Sequence, residues 1–540
     1  MWKRWSFLAA ASIICLLSAE ANCVWGQTER PIPAILSDNG KFTFLVDGNP
    51  FLILGGQTHN SSATTAEDLK APMDSVVAIH GNTVEVPVYW ELLEPAEGQF
   101  DFAMVDNIVE QARAHQLRVV LLWFGTWKNA WMNYTPEWVK RDTNRFKRAR
   151  DANGQEMGTI SAFCREAQAA DARAFEALLR HVREKDSVNR TVIMVQVENE
   201  TGLLETDRDH RPEANELYAG APPAELLNYL GEHRNSLAPP LRQVMSKSSG
   251  SKRATWSDYF GLLAPEVFSA WYTARYVDGV AAMGKRVYPL PMYANDWLIG
   301  HGDERAGRWP SGGPTANVID VWKSAAPHLD LVAPDVYGPY FEETAKSYAR
   351  GDNALFVPEI NPQPSFSAIP MIAIAGFNGI GASSFGVDEF YRGGSLSPAA
   401  VAFATNFEIL AKLTQLITKY QYSGRLHLIE QDMSAAEVVP LSLDENSVAI
   451  FSFAKPFDPK AAPGTGLLIE LAKDDYLVAG ANFEVEFRAM EGPLRDRVPL
   501  TIEEGFFAGD QWIRTRRLNG DEFDARFPEA GRILRVRLLE

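Results

Sequence analysis

Cysteine is scarce in this chain: Cys15, Cys23 and Cys164 are the only three in 540 residues. A disulfide framework is therefore excluded as the main source of stability, and a large apolar core must take its place. Metal-ligating patterns are missing too. The nine histidines are scattered, with no His-Glu-x-x-His and no Cys-x-x-Cys, so no metal centre is expected. Positive charge is in deficit, and the formal net charge of −17 argues against nucleic acid or an anionic membrane as partner. No Gly-x-Gly-x-x-Gly follows any expected strand, which leaves the doubly wound sheet as only the second-best fold. Internal repeats and low-complexity segments are lacking as well.

What the chain does have is apolar mass, 46% of its residues, at a length that suits a barrel plus a smaller module. Its start is basic, Met1-Trp2-Lys3-Arg4-Trp5, and Ser6 to Ala19 is almost wholly apolar. Small residues flank Glu20, so residues 1–21 read as a secretory signal cleaved after Ala21, with Gly26 as the alternative. The mature protein is expected to be secreted by a bacterium, to the periplasm or outside, with no membrane segment of its own.

Along the chain, Lys41–Val46 and Phe51–Leu54 flank Asp47-Gly48-Asn49-Pro50, a hairpin signature. Thr64-Thr65-Ala66-Glu67 has a capping-box pattern and predicts a helix to about His80. Strands are expected at Phe51–Gln57, Asn82–Tyr89, Arg118–Phe124, Thr191–Glu200, Val287–Tyr293, Leu329–Val336, Ala354–Ile360 and Ile380–Gly386. Helical segments lie between them, among them one capped by Asp101, one near 169–183 and one near 264–285. This alternation is the pattern of a (β/α)₈ TIM barrel with loop insertions, closed by a helix near 398–418. Past Lys419, short alternating runs between Gly, Pro, Asp and Asn predict a smaller all-β C-terminal domain. The expected boundaries are 22–419 for the barrel domain, hairpin included, and 420–540 for the β domain.

Two strands end in glutamate. Thr191-Val192-Ile193-Met194-Val195-Gln196-Val197-Glu198-Asn199-Glu200 is a β-branched run that turns acidic at its C-terminal end, and Ala354-Leu355-Phe356-Val357-Pro358-Glu359 repeats the device. Barrels carry their chemistry at that end of the strands. A pair of carboxyls is what glycoside cleavage requires, one to protonate the leaving oxygen and one to face the anomeric carbon. Glu200 is read as acid/base and Glu359 as nucleophile. Glu198, two residues deeper, is read as a buried, paired structural carboxylate. Tyr337, at the end of the strand before Glu359, is placed to hydrogen-bond it. Asn295 and Trp297 end another strand and are read as pocket residues. Ten of fourteen tryptophans lie between Trp90 and Trp322, and Trp127 and Trp131, following the third strand, are read with Trp297 as walls for sugar faces.

Val195-Gln196-Val197-Glu198-Asn199-Glu200 resembles the acid/base motif of glycoside hydrolase family 35, largely β-galactosidases. Asn82-Thr83-Val84-Glu85-Val86, Trp90, Glu94-Pro95 and Gly98-Gln99-Phe100-Asp101-Phe102 resemble that family's second-strand signature, and Gly55-Gly56 with His59 its first strand. The chain looks like a bacterial branch with its own C-terminal β domain. Pro87 and Leu93 depart from the tyrosine and histidine found in many members, and Thr201-Gly202 follows the motif in place of Tyr-Gly. The resemblance implies a retaining mechanism, Glu200 as acid/base, Asn199 holding the sugar 2-hydroxyl, and no cofactor. The expected reaction is removal of terminal β-D-galactosyl residues from an oligo- or polysaccharide. The alternatives are a barrel glycosidase for arabinosides, fucosides or mannan, and a carbohydrate-binding protein on a catalytically dead barrel.

Overall fold

The computed structural model describes residues 30–246, 254–300, 302–303, 305–431, 438–445, 447–453, 458, 460–489, 495–518, 520–522 and 525–539. The expected signal segment and Cys23 lie outside the described residues. Cys164 is buried as a free thiol.

Eight parallel strands close into a barrel: β1 (Ile53–Gln57), β2 (Thr83–Tyr89), β3 (Arg118–Lys128), β4 (Val192–Asn199), β5 (Met292–Trp297), β6 (Leu331–Val336), β7 (Phe356–Ile360) and β8 (Gly381–Phe385). Every residue of β1, β2, β4, β6 and β7 is buried, which is why these strands read as continuous apolar runs with no alternation. Helices wrap them, chief among them α1 (Lys70–Ala78), α2 (Ala103–Ala114), α3 (Arg165–Asp186), α4 (Ala264–Val287), α5 (Ile319–Ala325), α6 (Phe341–Tyr348) and α7 (Pro398–Tyr420). The α2 face of Val105, Ile108, Val109 and Ala112 is buried as its spacing requires. Helix α7 is long and apolar enough to cross a bilayer, but Phe403, Phe407, Leu410 and Leu413 are buried in the barrel core.

Local chemistry places two boundaries elsewhere than the spacing predicts. Helix α1 starts at Lys70, because Thr65 and Asp68 exchange hydrogen bonds within a preceding turn. Strand β5 starts at Met292, since α4 runs on to Val287 and Pro289 and Pro291 fall in the connection. Before the barrel, Ala34–Asp38, Lys41–Val46 and Asn49–Pro50 form a small antiparallel sheet. Its two tight turns, Asn39-Gly40 (φ 51° and 77°) and Asp47-Gly48 (φ 53° and 78°), take the left-handed conformation that matches strand twist.

The C-terminal part forms two antiparallel sheets. One has six strands in the order Leu426–Glu430, Thr465–Ala472, Asp475–Ala481, Arg532–Leu538, Pro499–Ala508, Gln511–Arg517. Its alternating side chains enter two different cores. Leu467, Ile469, Leu477 and Ala479 join the barrel core, whereas Leu468, Val478, Leu534 and Val536 pack with Phe451 and Phe483 of the second sheet.

Candidate active site

The site is built on an irregularity between β3 and β4. Their register shifts between Trp123 and Lys128, so that Lys128 pairs with Asn199. On the β4 side, Glu198 and Glu200 both hold positive φ (64° and 44°), a conformation that costs non-glycine residues of order 1–3 kcal/mol and clusters at functional sites. The consequence is a separation of the two acids. Glu198 turns to the helical layer, where its Oε2 accepts the backbone N–H of Trp127 at 2.7 Å. The Asp171 carboxyl of α3 lies beside it there and raises it. Asp171 also accepts from Trp123 Nε1 (2.8 Å) and the Thr126 hydroxyl (2.7 Å). Burial raises both carboxyls, and Asp171 raises Glu198 further, because two buried acids side by side resist ionising together. Glu198 is thus the buried paired carboxyl that the sequence suggested.

Glu200 takes the other direction, into the barrel mouth. Its N–H donates to Asn295 Oδ1 at 3.0 Å, its carbonyl accepts from Ala130 N–H at 2.9 Å, and its carboxylate accepts from Asn129. Glu359, on β7, accepts Gln57 Nε2 on one oxygen and the Tyr337 hydroxyl on the other, each at 2.7 Å. Between them stands Asp335 of β6, in register with Glu359 and bonded by Asn295 Nδ2 at 2.6 Å. One oxygen from each of Glu200, Asp335 and Glu359 lies within 4.8 Å of the others. Three acids so close cannot all ionise. Burial, and then the Glu359 charge, raises Glu200 to about 7, with Lys128 pulling the other way. Asp335, wholly buried and facing both glutamates, is raised well above the carboxylate range by burial and by their charges.

These groups open into a cleft of about 570 Å³ lined by Lys128, Asn129, Trp297, Tyr337, Tyr340 and Phe385, among others. Of the residues singled out in the sequence, Glu200, Glu359, Tyr337 and Trp297 line it, the last two being 42% and 39% exposed. Asn295 sits behind the carboxyls and fixes two of them. Asn199 is buried beside Lys128, whose Nζ donates to its Oδ1 at 2.9 Å; its Nδ2 has no partner among the described residues. Trp127 is not a wall of the cleft. Strand β3 runs on to Lys128, so Trp127 is 1% exposed and packs edge-on against Tyr276. Trp131, 37% exposed, lies against Gly158 outside the cleft lining.

Gln57, Lys128, Asn129 and Asp335 also belong to the site, and the sequence alone does not single them out. Gln57 and Asp335 stand at or near strand ends, the signal that found Glu359, yet neither type is tied to one chemistry. The three carboxyls are also spaced to hold a metal ion. Both Glu359 oxygens already accept protein hydrogen bonds and Lys128 adds a positive charge, so the donor set suits a proton better than a dication.

Residues 59–258 match the beta-galactosidase model of glycoside hydrolase family 42, and residues 403–527 match a domain of unknown function (DUF5597). The beta-galactosidase model covers under half of the chain. The family matched is 42, where the sequence motifs resemble 35. A beta-galactosidase of Xanthomonas manihotis is 30% identical over 188 residues, 33% of this chain and 28% of the relative. The chain therefore spans under a third of that relative's length. Among solved structures, a beta-galactosidase from Bacillus circulans sp. alkalophilus is similar at 15% identity and TM-score 0.46, over 68% of this chain and 57% of that one. The beta-amylase catalytic domain of Paenibacillus polymyxa is similar at 12% identity and TM-score 0.46, over 65% of this chain and 96% of that one.

Proposed function

We propose that the chain is a secreted, retaining exo-β-galactosidase of the family 35 kind, releasing terminal β-D-galactosyl residues by double displacement. The observation that carries this is the approach of Glu200 and Glu359 oxygens to within 4.8 Å. Retaining glycosidases hold their carboxyls about 5–5.5 Å apart, whereas inverting ones leave about 6.5–9.5 Å for a water.

Glu359, oriented by Gln57 and Tyr337, attacks the anomeric carbon and forms the galactosyl-enzyme. Glu200, held protonated by burial and the Glu359 charge, gives its proton to the leaving oxygen. Once that oxygen departs, Glu200 accepts a proton from the incoming water, which completes hydrolysis with net retention. Asn199 Nδ2, without a partner among the described residues, is assigned to the sugar 2-hydroxyl. Trp297 supplies a ring for the sugar's C–H face. The finer assignment to family 35 rests on the motifs at 82–102 and 195–200, and secretion on the N-terminal segment.

An aryl glycoside panel tests the reading. Nitrophenyl β-D-galactoside is expected to turn over in preference to the arabinoside, fucoside and mannoside. Glu359→Ala and Glu200→Ala should fold normally and lower kcat, the former by about a thousandfold or more. Wild-type turnover by a folded Glu359→Ala protein, or a preference for another sugar, would overturn it.

A further inference from the structure

The catalytic cleft does not end at its own rim. Gly338, Pro339 and Tyr340, in the connection from β6 to α6, and Glu343 of α6 line both the cleft and a second depression of about 640 Å³. That depression runs across the segment after β7 and reaches Glu430, Gln431 and Pro463 of the C-terminal sheets. We propose that it holds the saccharide chain on the leaving-group side of the scissile bond, so that the substrate is a neutral oligo- or polysaccharide carrying terminal galactose. This deepens the galactosidase reading and rests on it.

Three features support a neutral glycan as the occupant. The groove is continuous with the site where the bond would break, because Gly338, Pro339, Tyr340 and Glu343 line both. Its floor mixes apolar surface, from Phe366 and Ile369, with the amide and hydroxyl of Gln363 and Ser365, the mixture that hexoses present in return. Its charge is acidic. Glu342, Glu343 and Glu430 outnumber Lys346, whose Nζ is already 2.9 Å from Glu342, and an anionic uronate chain would be repelled. The far wall is also held in place. Gln431 and Gly464 exchange hydrogen bonds at 2.8 and 2.9 Å, and the sheet behind them is buried against the barrel through Leu467 and Ile469. A use for the C-terminal sheets follows: they complete a binding surface that the barrel alone would leave open.

The test compares two ladders of two to six sugar units, one β-1,4-galactan and one β-1,4-glucan, each ending in a β-galactosyl residue. For the full-length protein, kcat/KM should rise with length on at least one ladder by about tenfold, equivalent to ~1.4 kcal/mol. Gln363→Trp, at an exposed position, should remove that rise by filling the groove, so that the six-unit to two-unit ratio returns towards one; Ser365→Trp is a second such variant. If the aryl galactoside and the two-unit substrates are cleaved but kcat/KM is flat on both ladders, the groove assignment is overturned. A rise that survives both tryptophans overturns it too. If no galactoside is cleaved, the galactosidase reading itself fails.

Discussion

Glu200 and Glu359 are the same residue type on neighbouring parts of one mouth, and their surroundings give them different work. Glu359 accepts two hydrogen bonds, from Gln57 and Tyr337, whereas Glu200 is raised to about 7 by burial and by the Glu359 charge. The active form of Glu200 is the protonated one, so kcat/KM is expected to fall as pH rises through about 7. A Glu200→Gln variant, assayed with an activated aryl galactoside, should lose that alkaline limb; a limb that persists would assign it to another group, Asp335 first. Both glutamates and Tyr337 were legible in the sequence because an apolar run ending in a polar residue has few other readings in a barrel. Asp335 was not, since its importance comes from lying opposite Glu359 on the next strand, a relation that one strand's sequence does not contain. Trp127 was misplaced for a related reason. The apolar run was ended at Phe124, but pairing with β4 resumes at Lys128 and draws the tryptophan inside.

At the scale of elements, strand order and type followed from period and composition, while the β3–β4 irregularity did not. Strict alternation would put Glu198 and Glu200 on one face. Positive φ at both, with the register shift opposite, sends one to α3 and the other to the mouth. Gly125 is the residue that makes room for this. A Cβ there would lie 2.4 Å from Trp123 Nε1, 2.7 Å from Glu198 Oε1 and 2.8 Å from Asp171 Oδ1. Gly125→Ala should therefore force the acid pair apart, destabilise the fold by about 1–3 kcal/mol and lower kcat, although it touches no substrate. Denaturant unfolding and turnover measured together check this; unchanged stability and activity would mean the pair is not close-packed. The hairpins show the reverse situation. Asn39-Gly40 is as strong a turn signal as Asp47-Gly48, and the strand before it, Ala34–Asp38, is half-exposed with little apolar pattern to mark it.

For the whole molecule, the barrel was readable because eight buried strands cannot avoid apolar sequence. The C-terminal sheets were readable only as a class, since strands such as Val438–Ser442 and Gln511–Arg517 have no buried residue to mark a face. That one sheet would feed two cores is a property of packing and not of any one strand. The fold also buries Glu85 and Glu266. Desolvation raises Glu85 to about 8 and Glu266 to about 7. Above the ordinary value of 4.5 the unfolded chain releases these protons while the folded chain keeps them, so stability present at pH 4.5 is lost as pH rises to about 8. For Glu85 alone the loss is about 5 kcal/mol as an order of magnitude. Tm should accordingly fall between pH 5 and pH 8 at fixed ionic strength, and Glu85→Gln should reduce the fall; a flat or rising Tm would contradict the assignment. The central claim is that Glu359 forms a bond to galactose while Glu200 supplies the proton. Its most direct test is to inactivate the protein with an activated 2-deoxy-2-fluoro-β-galactoside and find the labelled peptide by mass spectrometry. The account predicts one fluorogalactosyl group, on Glu359. A label on Asp335 or elsewhere, or no label at all on the folded protein, would contradict it.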